Sequence, residues 1–215
     1  MPDSSYPVTV QVLPVTEQRN RLTTFFRFFL SIPHLILVGG PAAGGAWLTW
    51  QTEEGMGWST SGGVIGAAAA VVVLISWFAI MFTGSHPGGL WRFTAYYLRW
   101  RVRVIAYLML LRDEYPPFGD ESYSAELVLP EPTEPRDRVK VFLRILLAIP
   151  QLIVLALLFP VWALTTGIAW VLILVTGRYP EMLYGFGLGM LAWSARVEAY
   201  VLLLRDEYPP FTLRT

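Results

Sequence analysis

The longest uncharged stretch of the chain runs from Gly63 to Thr83, 21 residues. As a helix at ~1.5 Å per residue it reaches ~31 Å, the thickness of a bilayer's hydrocarbon, and it is predicted to span. A first apolar segment precedes it from Phe28 to Val38. Small residues Gly39, Gly40, Ala42, Ala43 and Gly44 carry it on to Trp47, and Arg27 stands at its start. Later, Ile145 to Thr176 gives 32 apolar residues interrupted by Pro150 and Pro160. One straight span needs only ~20 residues, so this stretch is predicted to be a hairpin turning near Phe159 to Val161, with two short arms. Alternation in Tyr6 to Leu13 and Tyr123 to Leu129, each followed by Pro, predicts two short edge strands.

The pattern repeats. Asn20 to Val38 reads NRLTTFFRFFLSIPHLILV and Asp137 to Leu155 reads DRVKVFLRILLAIPQLIVL, 117 positions later. Arg101 to Phe118 and Ser194 to Phe211 match 93 positions apart and share the identical tail RDEYPPF. The two offsets differ by 24 residues, which puts extra length in the loop of copy one that carries Glu53 and Glu54. Two units follow: 1–119 and 120–215, each a strand, two spans, a third helix and the RDEYPPF tail. The fold class expected is an all-α integral membrane protein with short β-strands. It is a tandem parallel repeat, each copy a transmembrane helical hairpin plus an interfacial amphipathic helix.

Charge sets the expected topology. Leu90 to Leu111 holds Arg92, Arg99, Arg101 and Arg103. Burying three of these at a bilayer's centre would cost roughly 8 to 10 kcal/mol, so this helix is expected to lie in the interface. Arg92, Tyr96, Arg99 and Arg103 share a helical face, whereas Arg101 falls opposite. With two spans per copy, all 16 basic residues lie on or near one face and the other keeps only Glu53 and Glu54. That distribution predicts four spans, both termini cytoplasmic and both copies in one orientation. Met1 to Asn20 lacks secretory signal architecture, so the first span is expected to serve as its own uncleaved address.

Composition removes whole classes of function. Apolar residues make up 54% and charged residues 15%, the balance of a membrane protein. Sixteen basic residues against 16 acidic leave no net charge, which argues against a nucleic-acid partner. Without cysteine there is no disulfide, thiol catalysis or Cys-ligated metal, and a count of two histidines argues against a His-rich metal site. No nucleotide-binding, zinc-protease, nucleophile-elbow or EF-hand motif occurs, and Lys140 is the sole lysine. No catalytic activity, cofactor or metal is expected.

The remaining candidates are few. Arg27 and Arg144 stand one turn inside apolar helices, where they either hold lipid phosphate or a small anion in a groove between the copies, or snorkel as anchors. Arg103 and Arg196 join them as candidate lipid or anion contacts. His34, with Gln151 as its counterpart, sits after an Ile-Pro step and reads as a hydrogen-bonded packing residue. In RDEYPPF, Tyr115, Phe118, Tyr208 and Phe211 are candidate docking residues for a membrane-protein partner or a second copy, or anchors at the headgroups. Gly185, Gly189, Ala192 and Arg196 line a helix face with small residues. Trp47, Trp50, Trp58, Trp77, Trp91, Trp100, Trp162, Trp170 and Trp193 read as an aromatic belt.

The doubled RDEYPPF, NRLTTFFRFFLSIPHLILV with its repeat, and TGRYPEMLYGFGLGMLAWSARVEAYVLLL together resemble the bacterial membrane family called domain of unknown function 4389. Copy one departs from the pattern at Thr83 to Pro87, TGSHP. The resemblance implies bacterial origin and the plasma membrane, and it supplies no activity. The function expected is that of an integral plasma-membrane scaffold or accessory subunit that binds lipids and a partner. The alternative is lipid or small-anion handling between the repeats.

Overall fold

The structure is a computed structural model that describes residues 6–13, 18–41, 48–51, 55–58, 62–119, 121–131 and 136–214. Its elements run β1 (Thr9–Val12), α1 (Arg21–Val38), β2 (Leu48–Gln51), β3 (Gly55–Trp58), α2 (Gly63–Thr83), α3 (Gly88–Leu108), β4 (Ala125–Val128), α4 (Arg138–Thr176) and α5 (Glu181–Val201). Glu53, Glu54 and Trp47 lie outside the described residues, as do the side chains of Trp50 and Trp58. Among the described residues three helices, α1, α2 and α4, are long and apolar enough to cross a membrane.

Local chemistry sets the ends of these helices. The Asn20 side chain accepts from the amides of Leu22 and Thr23, and Asp137 accepts from Val139 and Lys140 at the corresponding turn of α4. Gly84 and Gly177 close α2 and α4 with φ of 75° and 73°, the left-handed cap that the two Thr-Gly steps supply. Between the caps the long helices are inverted relative to a water-soluble helix. In α1 the buried stripe is Thr24, Arg27, Ser31, His34 and Val38, while Phe25, Phe28, Phe29, Ile32 and Ile36 are exposed. In α4 the stripe runs through Val141, Arg144, Ala148, Gln151 and Leu155 to Trp162, Ala169 and Ile173. Apolar side chains from Val139 to Val175 cover the remainder of its surface.

The expected hairpin in Ile145 to Thr176 is not there. α4 is one continuous helix of 39 residues, and Pro150 and Pro160 lie inside it. Proline removes an amide and bends a helix without ending it when the flanking turns are well packed. Straight, α4 would be ~58 Å long, and bends of ~30° at both prolines would still hold its ends roughly 50 Å apart.

That length fixes the arrangement of copy one. The Arg136 amide, at the start of α4, donates to the Gly84 carbonyl at the end of α2 (3.1 Å). At the other end of α4, the Gly177 carbonyl accepts from the Arg19 amide ahead of α1 (3.0 Å). The start of α1 and the end of α2 therefore lie at opposite ends of α4, and α1 and α2 run end to end instead of folding into a hairpin. Their 18 and 21 residues match the 39 of α4. At the junction Gly63 has φ +67°, and a Cβ there would stand 2.6 Å from the Ile36 and Leu37 carbonyl oxygens. No side chain fits that approach.

α3 and α5 form a second layer, antiparallel to each other. The Trp91 indole near the start of α3 donates to the Leu204 carbonyl just past α5 (3.2 Å), and Arg101 pairs with Glu198 midway. α1 and α2 pack on α3, and α4 packs on α5. On this layer also lies an antiparallel two-stranded sheet in which Val10 faces Leu127, with β1 against α5 and β4 against α3. The two predicted edge strands thus pair with each other. β2 and β3 form a separate antiparallel pair.

Two further expectations change. A helix lying on the membrane surface keeps one face in water, yet residues 100 to 107 of α3 and 189 to 200 of α5 are all buried. Arg101 and Arg103, which hydropathy assigns to an interface, are here enclosed, and Arg101 is paired with Glu198, while Arg92 stays exposed. The tryptophans do not form a belt either: Trp91, Trp100, Trp162 and Trp193 are buried. Trp77 and Trp170 bridge the long helices, donating to the carbonyls of Val141 (3.3 Å) and Thr24 (3.0 Å) respectively.

Candidate functional site: two arginine clusters and the tails they hold

Each helix of the second layer ends in a strained turn. Leu110 and Leu203 adopt φ of 66° and 62°, a left-handed conformation costing roughly 1–2 kcal/mol for a residue with a Cβ. The next amides, of Leu111 and Leu204, reach back to the carbonyls of Ala106 and Ala199 (2.9 Å each), which closes the helix and turns the chain into RDEYPPF.

The carbonyls left over at these turns face buried arginines. Arg27 Nη1 donates to the carbonyls of Tyr107 (3.0 Å) and Arg112 (2.8 Å), and Nη2 pairs with Asp113 (2.7 Å). The guanidinium lies 4.6 Å from the centre of the Tyr107 ring. Arg19 meets the same Asp113 oxygen at 3.0 Å. At the other end of the layer Arg144 donates to the Tyr200 carbonyl (3.0 Å), pairs with Asp206 and lies 4.6 Å from the Tyr200 ring centre. Arg136 pairs with Asp206 (2.8 Å) and donates to Leu203 (2.8 Å). Two cations on one carboxylate leave an excess positive charge, which the negative carbonyl end of each helix offsets.

These clusters define what Arg27 and Arg144 do in this structure. Both are 2% exposed and engaged by carboxylate, carbonyl and ring, and they do not meet in a common groove. The 16 residues of α3 from Trp91, beside Leu204, to Tyr107, beside Arg27, span ~24 Å, which separates the two sites by about that distance. A guanidinium in an apolar helix reads as an anion site in sequence. Here its anion is Asp113 or Asp206, 86 and 62 residues further along the chain.

The tails fold back along the helices. Arg103 donates to the Gly119 carbonyl (3.0 Å), and Arg196 to those of Thr212 and Arg214 (2.8 Å each), tying each tail to its own helix. Arg112 holds the Leu13 carbonyl and Arg205 that of Pro130 (3.1 Å), joining tail to strand. The Tyr6 hydroxyl donates to the Glu207 carbonyl (3.2 Å) and the Tyr123 hydroxyl to that of Glu114 (2.6 Å). Burial raises the pKa of both hydroxyls, which keeps them protonated donors at neutral pH.

The four tail aromatics sit half out of the protein. Phe118 stacks on His34 at 4.2 Å with Tyr115 alongside at 5.0 Å, while Phe211 meets Trp193 and Tyr208 meets Tyr200 edge-on. Tyr115 and Tyr208 are 42% and 40% exposed, and both phenylalanines 54%. His34 accepts from the Trp100 indole (3.2 Å), and Gln151 accepts from Trp193 (2.8 Å) while donating to the Pro209 carbonyl (2.6 Å). This is the hydrogen-bonded packing role that sequence suggests. Of the small-residue face, Gly189 matters for the tail: a Cβ there would lie 2.4 Å from the Leu213 carbonyl oxygen.

One buried pair was not legible as a pair. Arg101, which falls on the wrong helical face for a surface helix, bonds Glu198 (2.9 Å) and the Val38 carbonyl (2.8 Å). It ties α3, α5 and the end of α1 at the centre of the molecule. Its positional counterpart in copy two is Ser194, so no repeat signal could have revealed it.

Three long helices with apolar exteriors, two of which, α1 and α4, bury paired polar side chains, define a mostly helical protein of the membrane-associated class. The chain belongs to the family described as domain of unknown function (DUF4389), whose pattern matches residues 61–119 and 138–212. No curated protein and no solved structure matches the chain.

Proposed function

We propose that the protein is a non-catalytic scaffold or accessory subunit of a bacterial plasma membrane. It is built as two copies of one module in the same orientation, with both termini on the cytoplasmic side. The observation that carries this reading is how the polar groups are used. Arg19, Arg27, Arg136 and Arg144 tie helix ends to tails, Arg103, Arg112, Arg196 and Arg205 tie tails to helices and strands, and what they present is a duplicated set of half-exposed aromatics. The contacts recur at the sequence offsets: Arg27 to Tyr107 matches Arg144 to Tyr200, and Trp77 to Val141 matches Trp170 to Thr24. That recurrence supports two equivalent modules related by a two-fold axis through the Arg101–Glu198 region.

A paired, rigid, aromatic surface suits a membrane-protein partner, with Tyr and Phe as the anchoring side chains. The test is affinity purification from native membranes of wild type and of a variant with Tyr115→Ala, Phe118→Ala, Tyr208→Ala and Phe211→Ala combined. The expected result is a stoichiometric partner recovered with wild type and lost with the variant. Recovery of every partner by both proteins rejects the tails as the docking surface.

A further inference from the structure

We infer that α1, α2 and α4 lie along the membrane, their apolar face sunk into one leaflet, instead of crossing it. This rests on the membrane reading above and goes beyond it by assigning the occupant of the largest apolar surface: the acyl chains of the cytoplasmic leaflet.

Length is the first argument. Exposed apolar side chains continue from Val139 and Phe142 to Val171 and Val175. Those 36 steps cover ~54 Å of helix, against ~30 Å of hydrocarbon, so a transverse helix would leave roughly 12 Å of bare apolar surface beyond each interface. In-plane, the whole length is covered.

The second argument is the sheet. Among the described residues β1 and β4 form a two-stranded sheet, so each has an outer edge of backbone donors and acceptors. Open edges are not tolerated in hydrocarbon. β1 and β4 pack on α5 and α3, the layer whose other contacts are the long helices. Turning the long helices across the bilayer would carry the sheet into it. Laying them flat leaves the sheet in water.

The third is charge at the ends. Arg21 and Arg178 stand at one end of α4, and Arg138 at the other. All three are exposed, and none has a carboxylate partner among the described residues. Cations at both ends of a long apolar helix suit a single layer of headgroup phosphates.

Because the protein has no native cysteine, depth can be mapped with one nitroxide at a time. Phe142, Leu157, Leu164 and Val175 are all exposed along α4, so single cysteines there replace surface side chains. Each is labelled in the full chain reconstituted in phosphatidylethanolamine–phosphatidylglycerol vesicles, and its exposure to oxygen and to a water-soluble nickel chelate is compared by electron paramagnetic resonance. The expected result is preferential exposure to oxygen at all four, at depths within ~10 Å of one another, with 157 deepest. Depths sweeping ~30 Å, with 142 and 175 at opposite interfaces, overturn the inference. So does shielding from both reagents, which means a second copy covers the face, and so does nickel exposure throughout. None of these readouts involves the tail aromatics, so partner capture stands or falls separately.

Discussion

Replacing Arg101 by Met isolates the interaction that closes the centre of the molecule. Arg101 and Glu198 are 1% and 7% exposed at their side chains and meet at 2.9 Å, and Arg101 also donates to Val38. Arg101→Met leaves a buried carboxylate without its cation, a loss of ~3–5 kcal/mol. The unsatisfied Val38 carbonyl adds ~1–3 kcal/mol, for a total comparable with the ~5–15 kcal/mol stability of a whole domain. Glu198→Leu strands the guanidinium and should cost ~3–5 kcal/mol. The double variant removes both charges of the pair, because an apolar pair of similar volume replaces it, and the Val38 carbonyl is left without its Arg101 donor. It should lose ~1–3 kcal/mol, less than Arg101→Met alone. The assay is equilibrium unfolding in detergent micelles followed by tryptophan fluorescence. A double variant whose loss equals the sum of the two single losses would refute the reasoning, since uncoupled residues add.

Deleting residues 39–62 and joining Val38 to Gly63 should yield a continuous helix like α4, and the protein should retain a cooperative thermal transition in micelles. Loss of that transition contradicts the end-to-end placement of α1 and α2. Gly189→Ala should release the C-terminal tail and speed hydrogen exchange there, while Gly185→Ala, with open space around its Cβ, should leave exchange unchanged. The Ser124 hydroxyl, followed by Arg112, holds the Glu114 carboxyl below its usual range. A lowered folded pKa means stability present above the unfolded value of ~4.3 and lost as pH falls through the folded one. Exchange of the Leu13 amide, bonded to Ser124, should therefore accelerate as pH falls below that unfolded value, and Ser124→Ala, which returns the folded pKa toward it, should shrink the acceleration.

Sequence made the strands β1 and β4 and the apolar stretches of α1, α2 and α4 legible, because each rests on local periodicity or hydropathy, although it divided α4 into two spans. The course of α4 was not legible, because hydropathy measures how much apolar chain there is and assumes that each ~20 residues of it crosses a bilayer. A helix lying flat breaks that assumption, and proline inside it resembles a turn. Arg27 and Arg144 stood out correctly as unusual, but their anion was intramolecular and far along the chain, which spacing cannot show. Arg101 carried a visible anomaly without its explanation: Glu198 comes from the other copy and departs from the repeat.

The central claim is that both ends of the long helices face the same side of the membrane. Ser85 and Arg178, both exposed, flank the capping glycines at these opposite ends. Ser85→Cys and Arg178→Cys variants can be challenged with an impermeant maleimide in intact cells and in inverted vesicles. The account predicts that both cysteines react in inverted vesicles and neither reacts in intact cells. Labelling of one from outside and the other from inside would contradict it.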